Sequence, residues 1–184
     1  LDLIRQKMPD ALVLFTSDHG DMLGAHRLFS KNAAIYREVA NVPLIIKGGE
    51  KGKVIRSPAS HIDITSTILH YFGLPIPKLL EGKSKLPQIY DANITINEFV
   101  FTEFTRYEVD HDGFGGLQLM RGVISETYKL AVHLLDKDEF YDLTSDPYEI
   151  TNRIDDPSCL DTITEYHSIL IRHMNDTRDP YRGY

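Results

Sequence analysis

Ala11–Thr16 is a continuous apolar run that ends abruptly in turn residues, a pattern that predicts a strand buried on both faces. Val42-Pro43-Leu44-Ile45-Ile46 is a second short apolar strand, with Pro43 in a position suited to its start or to a sheet edge. Between them, Asp18–Lys31 is glycine-containing and polar, which predicts a loop with a short helix, and Tyr36–Ala40 predicts another helical turn. Gly48–Lys53 is a flexible turn. Ser60–Phe72 has helical periodicity through Ile62, Ile64, Ile68, Leu69 and Phe72, and Gly73 follows where a helix C-cap belongs. Pro75–Pro87 is rich in Pro and Lys and reads as a surface connection. Leu1–Met8 reads as the end of a helix running into the first strand.

Past residue 90 the pattern changes. Asn97–Phe104, Leu117–Ile124, Tyr128–Leu135 and Glu139–Leu143 are short runs separated by turns, which predicts a small antiparallel meander. Asp161–Met174 has helical spacing through Ile163, Tyr166, Ile169, Leu170 and His173. The chain thus divides into an α/β portion, residues 1–90, and a smaller α+β portion, residues 91–184.

Composition narrows the function classes. The 184 residues suffice for one domain with a real core, alone or with a small appendage. A formal net charge of −7 argues against general nucleic-acid binding, yet leaves room for an anionic substrate held by local Lys and Arg. The single cysteine, Cys159, rules out an internal disulfide framework. No apolar stretch approaches the length of a membrane span, and Leu1-Asp2-Leu3-Ile4-Arg5 lacks the pattern of a signal peptide. The opening without Met leads us to expect a piece of a longer protein, so the compartment is left open. The sequons at Asn93 and Asn175 read as chance matches.

The chemistry concentrates in residues 16–31. Asp18 and His19 fall at the carboxyl end of the first predicted strand, where ligands bind in open α/β sheets. An aspartate oxygen and a histidine nitrogen can ligate one divalent ion, with further ligands from elsewhere. The alternative is an Asp-Gly turn with a structural histidine. Lys31 is a point-charge ammonium suited to a tetrahedral oxyanion and to charge on a departing oxygen; the alternative is a solvated surface lysine. His26 is a candidate to orient substrate or serve as general acid, against a bystander role. Ser60 or Asp63 caps the helix that follows; this reading is preferred to a His61–Asp63 dyad. Arg106–Gly116 is a polar, Gly-rich stretch that can place Arg106 and His111 over a cleft as substrate-binding residues; the alternative is a plain hairpin connection.

Taken together, these blocks resemble the sulfatase family of the alkaline-phosphatase superfamily. The resemblance rests on Thr16-Ser17-Asp18-His19-Gly20-Asp21-Met22-Leu23-Gly24, then Lys31, then Val42–Ile46. Ser60–Ile64 with Thr67-Ile68-Leu69, Tyr128-Lys129-Leu130, Glu139–Leu143, Asp146–Glu149 and Asn152 follow in the family's order. Arg106–Gly116 resembles a subgroup of bacterial sulfatase-like hydrolases. The resemblance implies the C-terminal part of an alkaline-phosphatase-like α/β sulfatase fold, with a small antiparallel sheet and a C-terminal helix. It implies that Asp18 and His19 bind a divalent metal, calcium foremost with magnesium or manganese as alternatives, and that Lys31 contacts the sulfate and the ester oxygen. It implies a sulfate-ester substrate, with sulfated glycans the family's common targets.

The family's nucleophile is a hydrated formylglycine made from the first residue of a Cys/Ser-x-Pro-x-Arg motif. Cys159 is followed by Leu160-Asp161-Thr162-Ile163, so that motif is absent here, as are the N-terminal metal-binding aspartates. The chain alone is therefore expected to be inactive. A phosphonate or phosphate ester hydrolase of the same superfamily is the second reading, and a non-catalytic binding module that keeps the fold is the third. A sheet lacking its other half would leave an apolar edge, from which we expect self-association or a missing N-terminal portion that covers it.

Overall fold

The computed structural model describes residues 2–31, 34–48, 52–108 and 116–183; of Arg5, 106–108 and 116–118 it describes the backbone alone. Helix α1 (Asp2–Lys7) leads into β1 (Val13–Thr16), followed by the short helix α2 (Arg37–Ala40) and strand β2 (Leu44–Lys47). Helices α3 (Ile62–Tyr71) and α4 (Leu86–Tyr90) come next. The second half comprises β3 (Val100–Glu108), β4 (Gly116–Ile124), β5 (Tyr128–His133), β6 (Glu139–Asp142) and the long helix α5 (Leu160–Asp176). The predicted α/β character, antiparallel meander and C-terminal helix are all present.

The meander pairs in sequence order, β3-β4-β5-β6. Strand alternation gives it two different faces. Val123, Leu130 and Phe140 face α5 and pack with Cys159, Tyr166, Leu170 and Met174. Each buried aliphatic or Phe side chain here contributes about 1.5–3 kcal/mol. The opposite face carries Met120 and Ala131 and receives Ile35, a residue from the first half of the chain. Lys129, Ala131 and His133 share that face by their spacing, and the register sets Tyr141 and Glu139 beside Lys129 and Ala131. A sheet covered on both sides explains why Leu119 through Val123 are buried without a break. The start of α5 is set by Asp156, whose carboxylate accepts the Ser158 N–H at 2.9 Å, with Pro157 opening the preceding turn.

Two expectations for the first half are corrected. Strand β1 is not buried on both faces: it pairs antiparallel with β2 alone, and Phe15 and the opposed Ile45 are 60% and 62% exposed. No other described strand covers that ribbon. Helix α3 forms as predicted and ends at Gly73 with φ 66, a left-handed stop that glycine adopts freely. Its buried side, however, is polar. Asp63, Ser66 and Thr67 are buried, while Ile62, Ile68 and Phe72 are exposed. The second correction follows from this. The end of the Pro75–Pro87 stretch is not a surface connection, because Ser66 Oγ donates to the Gly82 carbonyl at 2.6 Å and the Lys85 N–H donates to Thr67 Oγ1 at 2.8 Å. These bonds seat Lys85, Leu86, Gln88 and Ile89 in the interior.

Candidate active-site turn

The turn after β1 is built by short hydrogen bonds. Asp18 Oδ1 accepts the His19 N–H at 3.0 Å, and Ser17 Oγ donates to the His19 carbonyl at 2.8 Å. His19 Nδ1 lies 2.7 Å from the Gly20 carbonyl, which assigns the proton to Nδ1 and leaves the Nε2 lone pair available. That Nε2 is 3.6 Å from Asp18 Oδ2. Bonding of the second ring nitrogen to a backbone carbonyl is the usual support of a metal-ligating histidine. The Asp18 carboxyl is held below the usual carboxylate range, first by the His19 N–H and then by the neighbouring His19 side chain. An ionised oxygen and an oriented imidazole nitrogen thus fit a divalent ion as two of its ligands. Among the described residues, no group of three or more His, Cys, Asp or Glu side chains is placed to hold one.

Gly20 fixes this turn against α2. Its N–H donates to the Val39 carbonyl at 2.9 Å, and a Cβ at this position would lie 1.8 Å from the Glu38 carbonyl oxygen. On the other side, His61 Nε2 donates to the Ser17 carbonyl at 2.7 Å. His61 is therefore a support of the turn, a role the sequence reading did not give it. The N-cap position of α3, His61, carries no side-chain capping bond; Asp63 lies in the first turn instead, and its carboxylate accepts the Ser60 N–H at 3.0 Å, the Lys83 N–H at 2.8 Å and the Asn97 amide at 2.9 Å.

The loop beyond is closed by the Met22 N–H donating to the Ser30 carbonyl at 3.1 Å, with Met22 buried beneath it. Lys31 emerges exposed from the base of that loop. His26 points inward instead. Its ring stacks on Tyr36 with centroids 3.9 Å apart, and Nε2 is 3.8 Å from Glu38 Oε2. Arg106 lies in β3 opposite Gln118, but its side chain falls outside what is described, as does His111 entirely.

Behind the turn lies a buried polar network that sequence reasoning missed. Lys129 Nζ donates to Glu149 Oε2 and to the Ile35 carbonyl, each at 2.6 Å. Glu149 also accepts the Arg37 N–H at 3.1 Å, and Tyr36 Oη donates to Glu139 Oε1 at 3.1 Å. Burial pulls the Lys129 ammonium down, with Glu149 countering it. Burial pushes the Glu139 carboxyl up, but His133, Tyr36 and Lys129 together hold it below its ordinary value. The sequence signals were the alternation that puts Lys129 and His133 on the face away from α5, and the family blocks that contain Lys129, Glu139 and Glu149, neither of which joins these residues into a network.

A family model described as the C-terminal part of N-sulphoglucosamine sulphohydrolase matches residues 24–176. The chain belongs to the sulfatase family. It is 38% identical to the uncharacterized sulfatase YidJ of Escherichia coli (strain K12) over 184 residues, 99% of this chain and 36% of that relative. Among solved structures, a 2-O GAG sulfatase matches with TM-score 0.82 and 25% identity, over 94% of this chain and 38% of that one. The phosphonate monoester hydrolase of Silicibacter pomeroyi matches with TM-score 0.80 and 25% identity, over 95% and 37%. This sulfatase-family chain thus spans little more than a third of the length of the relatives it matches.

Proposed function

We propose that the chain is the C-terminal part of a metal-dependent sulfuric ester hydrolase and carries part of its metal site. The observation behind this reading is the Asp18–His19 turn, with its ionised carboxylate and its Nε2 kept free by the Gly20 carbonyl, in a chain of the sulfatase family. A divalent ion bound there would polarise the sulfate oxygens. Asp18 and His19 supply two of its ligands. We assign calcium, with magnesium or manganese as alternatives; the imidazole nitrogen widens the choice beyond strictly oxygen-liganded cations. Lys31 neutralises the sulfate and the charge that develops on the departing oxygen.

His26, with Nε2 turned toward Glu38, fits a contact that stabilises the loop better than a general acid. Arg106 and His111 are assigned to the substrate side. The formylglycine nucleophile belongs to a portion outside this chain. Cys159 cannot replace it, being buried at the foot of α5 in the wrong sequence context. The exposed Phe15–Ile45 ribbon and the apolar side of α3 support the reading that another portion of the protein, or a second copy, covers them. The likeness to a 2-O GAG sulfatase favours a sulfated glycan as substrate. The likeness to a phosphonate monoester hydrolase supports a second reading, hydrolysis of phosphonate or phosphate esters at the same site.

Turnover of an aryl sulfate and an aryl phosphonate monoester by the complete protein distinguishes them. We expect faster sulfate hydrolysis, lost on chelation, and no turnover by the 184-residue chain alone. Faster phosphonate hydrolysis selects the second reading. Turnover of neither, with metal supplied, rejects both and leaves a binding module.

A further inference from the structure

The hydrogen bonds of the Ser17–Gly20 turn run within the turn, to His61 and to Val39, and one short segment bonds to both the turn and the meander. Residues 35–39 hold Gly20 on one side, through the Val39 carbonyl and the close approach of Glu38. On the other side the same segment is gripped at three consecutive residues. Lys129 Nζ donates to the Ile35 carbonyl, Tyr36 Oη donates to Glu139, and Glu149 accepts the Arg37 N–H. Arg37 adds a bond from its guanidinium to the Pro147 carbonyl and lies 5.2 Å over the Tyr148 ring. The side chain of Ile35 fills the sheet face above Met120 and Ala131.

Glu149 makes these contacts from a left-handed backbone conformation, φ 57, while almost fully buried. A non-glycine residue keeps such a conformation only where its surroundings over-determine it. Lys129 and Glu149 are also more elaborate than sheet packing needs, since apolar side chains of the same volume would fill the space. What apolar side chains cannot do is bind the Ile35 carbonyl and the Arg37 N–H.

We propose that the buried Lys129–Glu149 pair positions the metal-binding turn: it fixes segment 35–39, which seats Gly20 and so aims Asp18 and His19. The small C-terminal sheet thereby holds catalytic geometry for the α/β portion. This rests on the reading of Asp18 and His19 as metal ligands.

The test uses the complete protein, with calcium titrated calorimetrically and thermal unfolding recorded in parallel. The double variant K129M/E149M replaces the pair by side chains of similar volume and leaves no buried charge. We expect it to fold, unfolding below the wild-type temperature because the Ile35 carbonyl and the Arg37 N–H lose their partners, and to bind calcium about tenfold more weakly or worse, the usual cost of losing an outer support. A pair that serves only stability would show wild-type affinity in this variant, and that result overturns the proposal. Tyr36→Phe removes a single tie and should weaken calcium binding about threefold with little change in unfolding. If the double variant does not fold, wild-type affinity in Tyr36→Phe is the overturning result. Failure of the wild-type protein itself to bind calcium, magnesium or manganese rejects the metal reading, and this proposal with it. That failure is seen before any variant is compared.

Discussion

The ammonium of Lys129 sits 2.6 Å from Oε2 of Glu149, and both side chains are almost wholly buried. Breaking such a pair on one side strands a charge in the interior, which costs about 3–5 kcal/mol, whereas replacing both partners by apolar groups is often neutral. Lys129→Met should therefore destabilise the protein severely, and K129M/E149M should regain most of the loss. Urea unfolding of the two variants checks this; equal destabilisation would show that the pair is not coupled.

His173 stacks on Phe101 with ring centroids 3.6 Å apart. Burial holds its imidazole below the ordinary value, against the pull of Glu81, Glu103, Asp176 and Asp179. The folded protein then binds fewer protons than the unfolded chain below about pH 6.5, so this stability is complete above that pH and falls as His173 is forced to protonate. Thermal midpoints should drop between pH 7 and 5, and His173→Phe should flatten that slope. Identical slopes would argue against a half-buried neutral imidazole.

A separate acid window lies lower. Asp156 is held down to about 2, first by the Ser158 hydroxyl and then by Arg153. Its contribution is present above about pH 4 and lost as pH falls through 2. Asp156→Asn should reduce stability at pH 6 but have little effect near pH 2, as chemical denaturation at the two pH values would show.

Gly20→Ala drives a Cβ into the Glu38 carbonyl. Strain of this kind costs about 1–3 kcal/mol. We expect lower stability together with weaker metal binding, read by unfolding and calcium titration. An alanine variant indistinguishable from wild type in both would mean that the contact with α2 does not hold the turn.

The second half of the fold was legible because its signals are local. Alternating runs with turns between them gave all four strands of the meander, and the spacing from Ile163 to His173 gave α5. The first half misled because several of its apolar side chains, among them Phe15, Ile45, Ile62 and Phe72, stay exposed among the described residues. Periodicity found α3 but could not reveal that Asp63, Ser66 and Thr67 would be the buried side, since their partners at Gly82 and Lys85 are distant in sequence. Asp18 and His19 were legible as adjacent residues at a strand end. The roles of His61, Lys129 and Glu149 were not, because each depends on a contact across 20 or more residues.

Phe15 and Ile45 are direct cross-strand partners on the exposed ribbon. The isolated 184-residue chain should self-associate through such apolar surface, and Phe15→Ser with Ile45→Thr should reduce it. Light scattering across a dilution series checks this; a monodisperse monomer at every concentration would contradict it.

The most direct test is the effect of Asp18→Ala on aryl sulfate hydrolysis by the complete protein at saturating calcium. If Asp18 is a metal ligand, its replacement should lower kcat/KM by about a hundredfold or more while the protein stays folded. A folded Asp18→Ala protein that hydrolyses the ester at the wild-type rate would show that this turn is not part of the metal site.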